Sequence, residues 1–419
     1  MYRKTVLDNG IKVVTENLPY FPTVSLGVWW KTGSRDESAE TSGISHFIEH
    51  MLFKGTERRT AQDIAREIDA VGGVLNAFTG KEYTCLYARV LRDDMDIAID
   101  VLADMCRHST FTKEDIGREK HVVIQEIKMI EDNPEEYVFD LFTADYYKGH
   151  PLGLPVLGEE ASVEKFTRDD LLAHFAAYHC PGNTIITAVG RIDHDAFVKK
   201  MAELFAGFGD GGAPSFANEK PRSFPGIKVY EKDLEHVYLC LGTDGVSQTD
   251  GRRYALYALN AIVGGSMSSH LFQEVREKRG LVYNIFSYVN CFYDAGNFGI
   301  STSSSEESIE EVIRLIKEEG SRLRKEGISP SELAFSKEHI KGNFFISLEG
   351  SEARMGRLAK NEIYFDQYEP IKETLKKIDR VQKPQVDEMS GLVFGDEGTM
   401  ALAVLGPVKQ DTIEKLWKS

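Results

Sequence analysis

Residues Gly207–Pro225 read GFGDGGAPSFANEKPRSFP. The stretch is rich in Gly, Pro and Ser, has no apolar period and sits near the middle of a 419-residue chain, which is the composition of a linker. It divides the chain into a first domain, 1–206, the linker 207–225, and a second domain, 226–419. At about 150 residues per domain, the length alone calls for two or three. A domain of roughly 200 residues buries enough surface to fold without disulfide or metal. A metal here would therefore point to chemistry.

Outward from the linker, the two halves echo each other. Gly10–Val13 (GIKV) recurs at Gly226–Val229, and Gly72–Thr79 (GGVLNAFT) aligns with Gly280–Ser287 (GLVYNIFS). The order is kept and the spacing nearly so, which marks a duplicated domain of about 210 residues. Asp8-Asn9-Gly10 is a hairpin turn between Lys4–Leu7 and Ile11–Glu16, and Val24–Trp30, Val74–Thr79 and Tyr83–Val90 read as strands. Helices start at capping boxes with Asp in place of Glu: Thr60 with Asp63, Thr112 with Asp115, and Thr167 with Asp170. Ser329-Pro330-Ser331-Glu332 sets a cap, a first-turn proline and a capping acid in order. Strands and helices do not alternate regularly. The expected fold is α+β, with two homologous domains, each a mostly antiparallel sheet packed with helices.

Sixty-six acidic against 50 basic residues give a net charge of −16. That balance disfavours nucleic acid and anionic membrane as partners, since both attract basic surfaces. The five cysteines (Cys85, Cys106, Cys180, Cys240, Cys291) are far apart and form no C-x-x-C pair, which argues against a zinc ribbon or disulfide framework. A reducing compartment fits this usage. No apolar run approaches a membrane span, and the first residues show no signal peptide or presequence, so the expected location is cytoplasmic.

The chemistry concentrates in His46-Phe47-Ile48-Glu49-His50. On a helix, His46 and His50 are one turn apart on one face, able to meet a single ion, and Glu49 borders the same stripe. The surrounding Ile44, Phe47, Ile48, Met51, Leu52 and Phe53 predict a helix buried nearly all round, stopped by Gly55. Two imidazoles and a carboxylate buried together are costly unless paired or bound to metal, and H-x-x-E-H is an inverted zincin pattern. A catalytic zinc takes three protein ligands and leaves one position open. The helix beginning near Thr112 offers Glu119, Glu126 and Glu131 as the third. Glu119 and Glu126 are two turns apart on one face beside Val122 and Val123, and periodicity does not choose between them. The matching region of the second half, Tyr257–Ile262 (YALNAI), has no such motif and is expected to hold no metal.

Several blocks follow one another across nearly the whole chain: HFIEHMLFKGT (His46–Thr56), Glu126 76 residues past His50, HPLG (His150–Gly153), YHCPGN (Tyr178–Asn183), Val189-Gly190, and GSMSSHLFQEVREKRGLVY (Gly265–Tyr283). In order and spacing they resemble the pitrilysin-type inverzincin metallopeptidases. The likeness is strongest to the short, two-domain processing-peptidase branch, which includes the catalytic subunit of the mitochondrial enzyme and its bacterial relatives. The resemblance implies one Zn2+ per chain on His46, His50 and Glu126, with Glu49 as general base and Glu119 orienting a ligand histidine from behind. It implies that Asn76, Ala77 and Phe78, on an edge strand, take the peptide substrate through main-chain hydrogen bonds. By the same resemblance Arg276 and Tyr283 contact the substrate backbone and the carbonyl under attack, and Glu136 and Asp140 accept a basic side chain. His270 stands where many relatives have arginine.

The resemblance further implies that each subunit forms half of a clamshell chamber. It implies a homodimer in which Arg276 and Tyr283 act on the partner's zinc site. The activity implied is a zinc endopeptidase cleaving short, extended or unfolded peptides, with a preference near basic residues. The alternative is a non-catalytic structural or peptide-holding subunit of the same fold. Retention of Glu49 speaks against it, because a scaffold needs no carboxylate beside a metal's water. Imidazole–carboxylate sites also accept manganese or cobalt.

Overall fold

The computed structural model describes residues 1–208, 219–395 and 399–418, so 209–218 of the expected linker lie outside the described residues. Two sheets organise the chain. The first contains β1 (Tyr2–Val6), β2 (Lys12–Asn17), β3 (Thr23–Trp30), β4 (Val74–Thr79), β5 (Thr84–Leu91) and β6 (Thr184–Gly190), in the spatial order β1-β2-β6-β3-β5-β4. The second contains β7 (Gly226–Glu231), β8 (Val237–Asp244), β9 (Val282–Cys291), β10 (Gly296–Ser304) and β11 (Ala401–Gly406), in the order β7-β11-β8-β10-β9. Each sheet has a single parallel pair, β2 with β6 and β7 with β11; every other neighbour is antiparallel. Apart from β1, the two orders match strand for strand. The sequence repeats fall on equivalent strands, β2 with β7 and β4 with β9. Both β4 and β9 are edges.

The first five α-helices in chain order are α1 (Ile44–Leu52), α2 (Ala61–Asp69), α3 (Met95–His108), α4 (Lys113–Glu131) and α5 (Pro134–Tyr146). Their starts follow local chemistry. Thr60 and Asp63 cap α2 reciprocally, and the Asp115 N–H that opens α4 donates to Thr112 Oγ1 at 3.1 Å. Ile44, Phe47, Ile48, Met51 and Leu52 of α1 sink into the main core of the first sheet, with Val28, Trp30, Leu86 and Ala88. Each such side chain contributes about 1.5–3 kcal/mol on burial, so α1 is held along its length.

The compact units are not the linear halves 1–206 and 226–419. One comprises the described residues of Met1–Lys128, Leu154–Asn218 and Ser347–Tyr368; the other those of Met129–Gly153, Glu219–Ile346 and Glu369–Ser419. Each linear half thus lends one segment to the other unit, and the reason is apolar. In the first unit the helix Ser351–Phe365 lays Met355, Leu358, Ala359 and Ile363 on the sheet face formed by Val14, Trp29, Cys85, Ile185 and Val189. In the second, α5 lays Val138, Phe142 and Tyr146 on Cys240, Ala401, Ala403 and Leu405. Glycines permit the close approach: a Cβ on Gly27 would lie 2.9 Å from the Met355 sulfur, and one on Gly242 2.2 Å from the Phe142 ring. Apolar patterning says that a face is buried, not which segment buries it.

No disulfide joins any of the five cysteines. No helix among the described residues is long and apolar enough to cross a membrane.

Candidate active site

Helix α1 enters through Gly43, whose φ of 90° is a left-handed conformation that favours glycine. The helix ends at Leu52, three residues before Gly55. With its apolar residues committed to the core, His46 and His50 share one flank, ring centroids 4.5 Å apart. Helix α4 brings two acids to that flank. Glu126 Oε2 lies 3.7 Å from His46 Nε2 and 3.5 Å from His50 Nε2. Glu119, two turns earlier, sits behind: its Oε1 is 2.8 Å from His50 Nδ1, and its Oε2 pairs with Lys54 Nζ at 2.6 Å. Val123 is buried beside them, but Val122, read as their inward neighbour, is 49% exposed. Glu131 is exposed at the far end of α4 and belongs to the second unit.

The geometry therefore gives Glu119 and Glu126 different neighbours, a distinction periodicity left open. Among the described residues, His46, His50 and Glu126 form the one group of three able to hold a metal, with donor atoms all within 4.8 Å of one another. Tetrahedral zinc with bonds of about 2.0–2.2 Å wants its donors roughly 3.3–3.6 Å apart. The two separations from Glu126 Oε2 nearly match that spacing. Two imidazoles and a carboxylate are a donor set that catalytic zinc accepts, so these residues fit the ion.

Charge is arranged to suit. Burial, reinforced by the charge of His50, pushes His46 down to about 3, so its imidazole is neutral with a lone pair to offer. For His50, burial opposes the charged form, but the hydrogen bond and charge of Glu119 outweigh it and raise the pKa. Burial likewise pushes Glu119 up, and the hydrogen bonds from His50 and Lys54 outweigh that and hold it below the usual carboxylate range. An ionised Glu119 fixes the proton on Nδ1 of His50 and turns Nε2 toward Glu126. Among the described residues His46 Nδ1 is buried without a hydrogen-bond partner, so the two imidazoles are not equivalent. Glu119→Gln is expected to weaken zinc binding about 10–100-fold. Chelator competition measures this, and unchanged affinity would remove Glu119 from the site.

Glu49 lies on the same turn. Burial raises its pKa, offset in part by the Thr79 hydroxyl, which donates to Glu49 Oε2 at 2.5 Å, and by the charge of His50. Thr79 and Lys54 went unnoticed in the sequence. Signals for both exist: Lys54 is four residues past His50 on a helical spacing, and Thr79 shares strand parity with Ala77.

Thr79 ends β4, which among the described residues pairs with β5 alone and lies beside α1. Leu75 and Ala77 pack into the α1-side core, while Asn76 and Phe78 point to the other face, Phe78 edge-on to Trp29 at 5.6 Å. The Ala77 N–H donates not to β5 but to Asn76 Oδ1, at 2.9 Å. One outward main-chain donor of an open edge is thus held by a side chain that an incoming strand can replace.

The remaining predicted residues are in the second unit. Arg276 sits in a π-helical turn, Phe272–Glu277, a rare geometry associated with functional sites. Its guanidinium lies over the rings of Phe272 (4.5 Å) and Tyr283 (5.6 Å), so these two predicted partners do meet. Tyr283, the second residue of β9, is 85% exposed. Glu136 and Asp140 share one face of α5, about 200° around the helix from the buried Val138 and Phe142. His270 is clamped between Glu319, 2.5 Å from Nδ1, and Glu332, 2.6 Å from Nε2.

Comparison with known proteins agrees with this architecture. Residues 12–160 match the insulinase (peptidase family M16) domain, and residues 165–339 match the peptidase M16 inactive domain. The chain is 39% identical to an uncharacterised zinc protease, YmxG, of Bacillus subtilis over 97% of this chain and 98% of the relative. It is 35% identical to an uncharacterised zinc protease of Streptomyces coelicolor over 99% and 91%. The fold is shared with a Pseudomonas fluorescens structure described as a peptidase M16 inactive domain, at a TM-score of 0.89, 22% identity and 98% coverage of both chains. A protease from Helicobacter pylori matches at a TM-score of 0.89 and 22% identity, over 97% of this chain and 99% of the other. With both domain types matched in order and relatives alike over nearly their full length, this chain belongs to the peptidase M16 family.

Proposed function

We propose that this protein is a zinc-dependent endopeptidase acting on short, extended or unfolded peptides. The observation that carries the reading is Glu49, a half-buried carboxyl one residue from His50 and hydrogen-bonded to the end of an open edge strand. Relatives named as zinc proteases support the metal and the reaction class.

Zinc on His46, His50 and Glu126, one ion per chain, supplies a Lewis acid that lowers the pKa of water to about 7 and polarises a carbonyl. The chain does the rest. Glu49 takes the proton of the attacking water and returns it to the departing amine. The Thr79 hydroxyl keeps that carboxylate in place, and burial raises its proton affinity toward the range where both transfers work. The outer edge of β4, at Asn76, Ala77 and Phe78, aligns the substrate by main-chain hydrogen bonds, which demands an extended peptide of little fixed sequence.

Arg276 and Tyr283 donate to the oxyanion, and in this reading they come from a second copy in a homodimer. Support for a self-sufficient homodimer is that one sequence carries both residue sets. Arg276→Ala is expected to lower turnover about 10²–10³-fold with zinc content unchanged, as read by steady-state kinetics beside metal analysis. Glu136 and Asp140, together with a net charge of −16, support a preference near basic residues. Five cysteines without a disulfide support a reducing, cytoplasmic setting. A peptide-library digest read by mass spectrometry, with and without chelator, tests the whole reading. Chelator-sensitive internal cuts are expected, and no cuts, or cuts that survive the chelator, would defeat it.

A further inference from the structure

The loop Gly33–Glu37, between β3 and α1, contains two charged side chains that the mechanism does not use and that are sealed from water: Arg35 is 0% exposed and Glu37 4%. They reach in opposite directions. Toward the β4–β5 turn, the Ser34 N–H donates to Gly80 O at 3.2 Å and the Arg35 N–H to Lys81 O at 2.8 Å. The Arg35 guanidinium donates to Glu82 Oε1 at 2.5 Å, and Glu82 Oε2 accepts from Tyr364 Oη at 2.8 Å. A Cβ on Gly33 would lie 2.1 Å from Gly80 O, so the loop and the turn are in direct apposition. Toward α1, the Glu37 carboxylate accepts the N–H groups of Gly43 at 2.7 Å and Ser45 at 2.8 Å. Those amides open the helix that carries His46, Glu49 and His50, and they lie at the positive end of its dipole.

Such burial is expensive. It pushes the Glu37 carboxyl up to about 7 despite the Ser45 and Gly43 amides, and a buried ion pair seldom improves on apolar packing of the same shape. Net stability therefore does not account for keeping these groups here. A placement requirement does, since catalytic geometry tolerates errors well below 1 Å.

We propose that Gly33–Glu37 is a brace of fixed length between the edge strand β4 and the helix α1, with Arg35 and Glu82 setting the β4–β5 hairpin and Glu37 setting the seat of α1. Arg35, Glu82 and Glu37 are positioning residues that touch neither substrate nor ion. The role of the strand rests on the peptidase reading; the seating of α1 has a readout, zinc affinity, that does not.

The two ends predict separable defects. In Glu37→Gln an amide NH2 replaces one acceptor oxygen and opposes a helix N–H. Zinc dissociation constants, from competition between zinc ions and a chromophoric chelator, are expected to rise at least tenfold, with KM for a cleaved library peptide within twofold. Glu82→Gln weakens the hold on the hairpin. KM is expected to rise at least fivefold, with zinc affinity within twofold. Glu37→Asp, one methylene shorter and able to reach one amide at most, serves if the glutamine variant fails to fold, and predicts a smaller loss of zinc affinity in the same direction. Asp104→Asn is the control. Asp104 is as deeply buried in the same unit and bonded to Thr56 and Arg59, away from the loop; its loss should lower the melting temperature and move neither constant. Wild-type zinc affinity in Glu37→Gln, or proportional shifts of both constants in Glu37→Gln, Glu82→Gln and Asp104→Asn alike, overturns the brace. A wild-type protein that binds zinc but cleaves nothing defeats the peptidase reading instead, and the zinc measurements still decide the seating of α1.

Discussion

Glu49→Gln should leave zinc bound and reduce peptide hydrolysis by about 10²–10⁴-fold, the usual contribution of a positioned proton-transfer group. The substitution keeps size and shape, and the amide oxygen can still accept from the Thr79 hydroxyl. It cannot take a proton. Because Glu49 lies outside the group formed by His46, His50 and Glu126, metal content should match the wild type. The folded-state pKa of Glu49 is raised by burial, so the fold resists its charge at neutral pH. A neutral isostere removes that penalty, and the melting temperature should be unchanged or higher. Hydrolysis rates, zinc content by mass spectrometry and thermal melting check the three parts together. An active Glu49→Gln enzyme would require a different base.

Glu126→Gln should lose zinc and activity together. Among the described residues, Glu126 is the carboxylate that faces both Nε2 atoms. Removing the charge that compensates a partly buried cation costs about 3–5 kcal/mol, or roughly 10²–10⁴-fold in affinity. Its contrast with Glu49→Gln is diagnostic: excess zinc should restore part of the activity of the Glu126 variant and none of the Glu49 variant. Full zinc occupancy in Glu126→Gln, measured by chelator competition at low metal, would assign the third ligand elsewhere.

Much of this was visible in the residues. His46, Glu49 and His50 could be read because helical spacing fixes which side chains share a flank; the burial expected of all three holds for His46, while Glu49 and His50 are half-buried. The repeat at GIKV and at Gly72–Thr79 led to two sheets whose orders do match, since strand identity is carried by local alternation. Distances along the chain hid other features. Thr79 meets Glu49 across thirty residues, and the seating of α1 by Glu37 depends on a carboxylate whose loop position reads as solvated. The traded segments 129–153 and 347–368 were missed for a related reason: a helix's apolar stripe names no partner. The π-helical turn at Arg276 has no composition signature.

The most direct test is anomalous scattering at the zinc edge from crystals of the metal-loaded protein. One peak per chain is predicted, bonded at about 2.0–2.2 Å to Nε2 of His46, Nε2 of His50 and a carboxylate oxygen of Glu126, with no other protein atom attached. A peak elsewhere, a further side chain closing the fourth position, or no peak at all would contradict the account.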